Sequence, residues 1–514
     1  MHYYLDLYIH IFILIGASLQ LASARALNTE EDITPRIGII GAGIGGTSSA
    51  YFLRQLFGPK VKIDVFESEK VGGRAAVLRI NGQDYEAGAS IISKKNKYMI
   101  DFAQKFNATP ISHSVGVLGL YDENGIRFQT SEWKAITLAK LAWRYGMDLY
   151  TIQQWTENTV FKKFARIYEF QKRGMAFTTV EDMLRAMGED ILNMTHHSMK
   201  EVLKDAGLSQ TFIDEFGFAA ARNNYGQTTD IHGFVGAVAM VGAEPELFSI
   251  QGGNKRIPEL LLEKSGANLI KGTVNTVALI KDELGSGSVS YELDYTKTTQ
   301  GNGDEKLNSR EYDIVIIAAP LEGASNKISF TEFPREVTNF KQEYHKIVAM
   351  FVQGKINITN FKVASQKDFP SDIFCVSPDI FFNSIGKLSP VSSHQKPETQ
   401  LKPDEAVWKT FLNKVPKEEE ILKLFESRTD LRLVEWLAYP EYHANMDLPP
   451  FMLYDRLYYV NAIESAAAAM EMNVIGAHNV ALLAHNQWHS TFEKIDEIQL
   501  PSSSAASTTD RSDL

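Results

Sequence analysis

The hexad Gly41-Ala42-Gly43-Ile44-Gly45-Gly46 places glycine at its first, third and sixth positions. That spacing serves close approach of backbone to a pyrophosphate. Gly41 permits a tight turn off a strand, Gly43 leaves room for the phosphates, and Gly46 lets a helix pack on the strand before it. An acid, Glu67, follows 21 residues after Gly46, placed to accept hydrogen bonds from ribose hydroxyls. Next comes Val71-Gly72-Gly73-Arg74. Gly73 and Arg74 suit a loop lying against a pyrophosphate, or alternatively a surface turn with a solvated arginine. In Tyr85-Glu86-Ala87-Gly88-Ala89-Ser90 small residues leave space for a planar ring. The chemistry these residues point to is binding of a dinucleotide.

Other chemistries lack their residues. No HExxH, GxSxG or P-loop pattern occurs, which removes zinc-protease, serine-hydrolase and NTPase readings. The one cysteine, Cys375, excludes an intramolecular disulfide, a cysteine-based metal cluster and a CxxC redox pair. It reads as a packed thiol without a role. No metal site is expected, and no acid-base constellation stands out, so no catalytic residue is assigned.

The elements that must position the glycines are legible. Arg36–Ile40 is a short apolar run that reads as a buried parallel strand. Thr47–Leu56 has helical character, and Val61–Glu67 is β-rich and ends in the acid. Strand, glycine turn, helix and strand together make the unit the motif requires; glycines at an ordinary strand-helix turn are the alternative. From Asp101 to Phe234 the pattern is helical, with apolar spacing over Trp133–Tyr150 and Val160–Gln171. Ala221–Gln227 is a polar cluster with a tyrosine, either the lip of a pocket or a capped turn. A helix follows Gly252-Gly253-Asn254 over Arg256–Lys264, Leu269–Lys281 is β-rich, and Asp282–Ser309 resembles a hairpin with a variable loop. Tyr312–Pro320 reads as another central strand of the first sheet. Ile347–Gly354 and Leu457–Asn461 read as strands, Pro390–Pro403 as a loop and Glu464–Ala484 as a long helix.

The 514 residues carry a formal net charge of −11 with no basic tract, so nucleic-acid binding has no electrostatic footprint. Length predicts two or three domains. Leu7–Ala17 is nearly all apolar and Ala22-Ser23-Ala24 is a cleavage-like triplet, so residues 1–24 read as a signal peptide, with an uncleaved anchor as the alternative. No later run is apolar and long enough to span a bilayer. Asn107, Asn193 and Asn357 each begin an N-x-S/T triplet and are expected to carry glycans on the secretory route.

With those residues in view, the chain resembles the prenylcysteine oxidase family, lysosomal FAD-dependent thioether oxidases. The likeness runs through the glycine hexad, Val71–Arg74 and Tyr85–Gly88, then Asn224–Gln227, Phe234–Val238 and Gly252–Lys255. It continues through Trp436–Pro440 and from Asp455–Tyr459 to Ala466–Met472. The middle and C-terminal blocks are the family-specific ones.

The resemblance implies an α/β chain, α+β overall. Its Rossmann-type FAD-binding domain would be of the glutathione-reductase and amine-oxidase group, with an inserted substrate domain. The expected division is 35–105, 235–330 and 450–492 for the FAD domain, 106–234 and 331–449 for the substrate domain, and 493–514 for a flexible tail. FAD is the implied cofactor, with Gly41, Gly43, Gly46, Glu67, Gly73 and Arg74 on cofactor-binding positions. The segment Asn461–Met472, which includes Glu464, matches a second flavin contact, with Asn461-Ala462 in place of the usual Gly-Asp pair.

The implied reaction cleaves the thioether of farnesyl- or geranylgeranyl-cysteine. A hydride leaves the prenyl C1 for the flavin, and water adds to the sulfur-stabilised cation. The hemithioacetal collapses to prenyl aldehyde and cysteine, and dioxygen reoxidises the flavin to give hydrogen peroxide. Tyr225 and Tyr439 are candidates for the substrate pocket, or for core packing. The implied partners are the prenylcysteine substrate and dioxygen, with lipid association and lysosomal residence, or secretion as the alternative. Other readings are an oxidase of the same fold acting on amines or isoprenoids, and a non-enzymatic prenyl-lipid binder like the Rab dissociation inhibitors, which do without flavin.

Overall fold

The computed structural model describes residues 34–112, 116–241, 247–281, 289–297, 307–321, 327–337, 340, 342–392 and 406–499. The expected signal peptide and the greater part of the 390–403 loop and of the C-terminal tail lie outside these residues.

Five parallel strands form the centre of the larger sheet. β1 (Arg36–Ile40) is flanked by β2 (Lys62–Glu67) on one side and β3 (Ile314–Ile317) on the other; β7 (Leu457–Tyr459) lies beyond β3 and Asn268–Lys281 beyond β2. Such strands are covered on both faces, and accordingly Ile37, Ile39, Val65, Ile314–Ile317 and Leu457–Tyr459 are all fully buried. Strand order reverses at β1, which makes its C-terminal end a topological switch point. Helix α1 (Ile44–Phe57) packs over this sheet, and α5 (Met470–Trp488) packs against α1. The strand Asn268–Lys281 then bends into a meander with Val289–Lys297 and Leu307–Tyr312 at the sheet's edge.

A second sheet of seven strands, largely antiparallel, carries β4 (Tyr344–Ile356), β5 (Val407–Leu412) and β6 (Phe425–Pro440). Along β4, Val348, Met350 and Val352 pack on one side with Ile373 and Trp408, and Ala349 and Phe351 on the other with Ala76 and Tyr85. Helices fill the chain from 134 to 241, among them α2 (Lys134–Tyr145), α3 (Asp148–Trp155) and α4 (Phe218–Tyr225).

Several expectations need correction. The stretch 101–234 is not all helical: Leu118–Asp122 and Gly125–Gln129 form a hairpin that completes the second sheet. Trp133–Tyr150 is two helices, broken at Gly146 with φ 53°. Val160–Gln171 is divided as well, because a π-helical turn at Thr156–Phe161 gives way to short helices. Tyr312–Pro320 divides at Asp313 into an antiparallel edge strand and the central β3. The C-terminal helix starts at Met470, not Glu464, because Val460–Ser465 tightens into a 3-10 turn.

Candidate functional site

The glycine hexad lies where β1 ends and α1 begins. Gly41 has φ 103°, and a Cβ there would stand 2.6 Å from the Ala318 carbonyl oxygen at the end of β3. At Gly46 a Cβ would stand 1.9 Å from the Gly41 carbonyl oxygen, so α1 sits as close to the turn as backbone allows. A Cβ on Gly43 would meet nothing within 4 Å, so the turn opens onto free space. Gly43 also caps α1, and no side chain accepts from its first N–H groups and no acid occupies its first turn. An uncapped helix start bordered by open space is a ready anion cradle, and it fits the pyrophosphate of a dinucleotide.

Two further segments close over the cradle. The Gly72 N–H donates to Ala42 O at 2.9 Å, which lays the 71–74 turn on the hexad and brings Gly73 beside Gly43. The buried Glu67 carboxylate accepts from the Ala42 N–H at 2.8 Å and the Glu69 N–H at 2.7 Å. Each oxygen keeps a lone pair for a hydroxyl.

Arg74 reaches the C-terminal segment. Its guanidinium binds both carboxylate oxygens of Glu464, one at 3.0 Å, and also the Ala438 carbonyl. Burial works against the guanidinium's charge, but the Glu464 carboxylate more than offsets it, so the pKa is raised. Glu464 is fully enclosed and accepts further bonds from Tyr344 Oη at 2.6 Å and Asn461 Nδ2 at 2.9 Å. One carboxylate therefore ties the 71–74 turn, the second sheet through Tyr344 on β4, and the C-terminal segment.

The sequence-predicted tyrosines meet at this segment. Tyr225, at the end of α4, packs edge-on against Tyr439 and Tyr442 at centroid distances of 5.1 and 5.3 Å. Its hydroxyl lies 3.4 Å from Ala468 O, a long contact. Tyr442, which nothing in the sequence singled out, makes the stronger bonds: it donates to Glu464 O at 2.8 Å and accepts from the Ala468 N–H at 2.9 Å. His232 donates from Nε2 to Ser465 O at 3.1 Å and accepts the Val235 N–H on Nδ1, so it is neutral; burial pushes its pKa down to about 4. The 221–227 cluster is the last part of α4 and its cap, Gly226 at φ 62°, with Gln227 clamping Pro440 and Tyr442.

Lys409 was also missed, although a lone lysine inside the apolar run Val407–Leu412 is a signal in itself. It is buried, and its ammonium donates to Ser90 Oγ at 2.8 Å and Glu86 O at 3.3 Å. Burial lowers it to about 8 against the opposing pull of Glu86 and Asp372. Burial likewise raises the Glu86 carboxyl to about 7, although Asn254 N–H and Lys409 counter it. These groups hold the Tyr85–Ser90 segment beside the 71–74 turn.

Around the cradle, small residues keep accessible surface inside the fold: Gly43, Gly73, Gly88–Ser90, Ala318–Pro320 and Ala468–Met470. Gly43 and Ala318–Pro320 lie just past the C-terminal ends of parallel strands, and Ala468–Met470 at the start of α5, whose cap residue Ala469 makes no side-chain bond. This is the position where open α/β sheets bind ligands. Of the glycan candidates, Asn107 and Asn193 are exposed, while Asn357 is half-buried with its Nδ2 donating to Leu422 O.

Comparisons with known proteins bear on this arrangement. The profile of the prenylcysteine lyase family matches residues 128–497, and that of an NAD(P)-binding Rossmann-like domain matches 39–106. Prenylcysteine oxidase 1 of Bos taurus is 40% identical over 471 residues, covering 90% of this chain and 91% of its own. The Homo sapiens protein of that name is 39% identical, covering 94% of this chain and 96% of its own. The Homo sapiens prenylcysteine oxidase 1-like protein is 35% identical over 95% of this chain and 97% of its own. Among solved structures, a putrescine oxidase double mutant aligns with a TM-score of 0.57 at 12% identity, covering 88% of this chain and 99% of its own. Cyclohexylamine oxidase from Brevibacterium oxydans aligns at 0.54 and 12%, covering 89% and 100%. At that identity the likeness is one of fold.

Proposed function

The chain belongs to the prenylcysteine lyase family, and from that premise we propose that it is an FAD-dependent oxidase that cleaves the thioether of prenylcysteines. The observation that carries the reading is the 40% identity to a prenylcysteine oxidase 1 that extends over nine-tenths of both chains. The uncapped, open cradle at Gly43 supports the cofactor.

Bound FAD would supply the hydride acceptor for the prenyl C1 and the means of reducing dioxygen to hydrogen peroxide. The protein's own work is binding and shaping. Gly41, Gly43 and Gly46, with the start of α1, would hold the pyrophosphate, with Gly73 beside them, and Glu67 would take ribose hydroxyls. Arg74 and Glu464 act as a pair that fixes the facing wall. Tyr225, Tyr439 and Tyr442 form an aromatic boundary suited to an apolar prenyl chain. Water adds to the oxidised carbon next to sulfur, and collapse of the hemithioacetal gives a prenyl aldehyde and cysteine. A prenylated substrate also supports association with lipid surfaces. The exposed Asn107 and Asn193 triplets support passage through the secretory route to the lysosome, with secretion as the alternative.

The test is an anaerobic visible spectrum before and after adding farnesylcysteine. Bleaching of a yellow protein, with recovery and peroxide release in air, supports the reading. A yellow protein that does not bleach keeps the flavin and loses this substrate. A colourless protein that takes up no FAD leaves a prenyl-lipid binder.

A further inference from the structure

Helix α2 is apolar on the side that faces away from the fold. Its inner side is ordinary: Leu141 packs into the core, and Tyr145 meets Phe212 and Phe216 edge-on at 5.7 and 5.1 Å. Arg144 adds a two-pronged bond to Glu215 at 2.7 and 2.6 Å, so the helix is firmly seated. The outer side is Ala135, Ile136, Ala139, Ala142 and Trp143, at the spacing of one continuous helical stripe, and every one is exposed. Trp143 is 93% exposed, and at the flanks Trp133 and Leu138 stand 72% and 64% exposed. Scattered exposed apolar residues are normal, but a contiguous stripe carrying Trp143, with Trp133 at its flank, marks a surface that is meant to be covered.

The covering partner has a chemistry. Beyond Arg144, which Glu215 neutralises, α2 carries Lys134 and Lys140 and no acid, on a chain whose net charge is −11. An apolar stripe with tryptophan, flanked by bases, matches a helix that lies flat in the headgroup region of an anionic bilayer. We propose that the outer face of α2 docks the protein on a lipid surface bearing anionic headgroups. Position gives the docking a use. The Phe212–Phe216 stretch under α2 runs directly into α4, and Tyr225 at the far end of α4 reaches Ala468 at the candidate site. From Phe216 to Tyr225 a helix spans about 14 Å. A lipid-borne substrate would thus be taken up close to where it is used. That use rests on the prenylcysteine reading, but the docking test employs no substrate, so the two can fail separately.

The experiment is flotation of the full glycosylated chain with vesicles of phosphatidylcholine alone and with about a third phosphatidylserine. The parent chain is expected to float with the anionic vesicles and to lose binding as salt is raised. Trp143→Glu is expected to lower partitioning at least about tenfold, about 1.4 kcal/mol, with the melting temperature unchanged. Lys134→Glu is expected to weaken binding to the anionic vesicles alone. Equal flotation of the parent chain and Trp143→Glu overturns the proposal, as does no flotation of either. So does a parent dimer in sedimentation velocity that Trp143→Glu dissociates, since a second copy would then be what covers the stripe.

Discussion

At the scale of residues, the site depends on one carboxylate. Glu464 is enclosed and faces Arg74, Tyr344 and Asn461. Removing one partner of a buried ion pair leaves the other uncompensated, so Glu464→Gln is expected to cost about 3–5 kcal/mol, read by thermal unfolding. Tyr344→Phe removes a single donor to a charged group and is expected to cost about 1.5–3 kcal/mol. The reverse order in a melting series would mean that Glu464 is not the hub. The tyrosines divide the same way. Tyr442 Oη bonds the backbone at both Glu464 and Ala468, whereas Tyr225 makes one long contact. Tyr442→Phe is therefore expected to raise the FAD dissociation constant by about tenfold, roughly one lost hydrogen bond, and Tyr225→Phe to leave it nearly unchanged. Equilibrium dialysis against FAD measures both. Of these residues the sequence disclosed those with a local signature, such as Arg74 beside its glycines. Tyr344 and Tyr442 have none: their importance comes from distant chain segments meeting, and no spacing records that.

At the scale of elements, the strand-turn-helix-strand unit was legible because its geometry is written in consecutive residues. The glycines of its turn separate two tasks that a binding assay can resolve. A methyl at Gly46 would drive into the Gly41 carbonyl, so Gly46→Ala is expected to shift α1 and lower the melting temperature of the cofactor-free chain. A methyl at Gly43 would meet nothing, so Gly43→Ala is expected to melt normally and yet lose FAD affinity, because it fills the cradle. If both variants melt alike, the two roles are not distinct. What was not legible also has physical reasons. The C-terminal helix begins six residues later than its apolar pattern suggests, because Glu464 and Ser465 are drawn into bonds with Arg74 and His232. The hairpin Leu118–Gln129 hid within a helical region because its strands are short and pair with the distant Asp372–Cys375. A long-range partner overrides local preference there.

At the scale of the whole molecule, buried ionisable groups oppose one another as pH falls. Burial holds His232 and His478 at about 4 against an ordinary 6.5, so the unfolded chain takes up protons first and stability is lost between pH 6.5 and 4. Burial also raises Glu86 and Glu471 to about 7 against 4.5, so the folded chain takes up protons first and stability is gained between pH 7 and 4.5. Each of these four is worth about 3 kcal/mol over its window, two against two, and the half-buried His485, lowered by burial as well, adds only a small loss, so the melting temperature is expected to change little between pH 7 and 5. Glu471→Gln removes one gain, and that variant should melt several degrees lower at pH 5 than at pH 7. A parent chain that itself falls by that much would show that the groups do not balance.

The larger sheet has a further consequence, in the order of synthesis. β7 lies next to β3 in the sheet, and α5 packs on α1, yet both emerge from the ribosome long after β1, residues 457–488 against 36–40. The N-terminal half of the cradle must therefore wait, with its sheet unfinished, for most of translation. Cofactor loading then waits until α5 has been made. A stop after Phe451 removes β7 and α5 together, and its product is expected to collect in the insoluble fraction without colour, however intact its glycine motif.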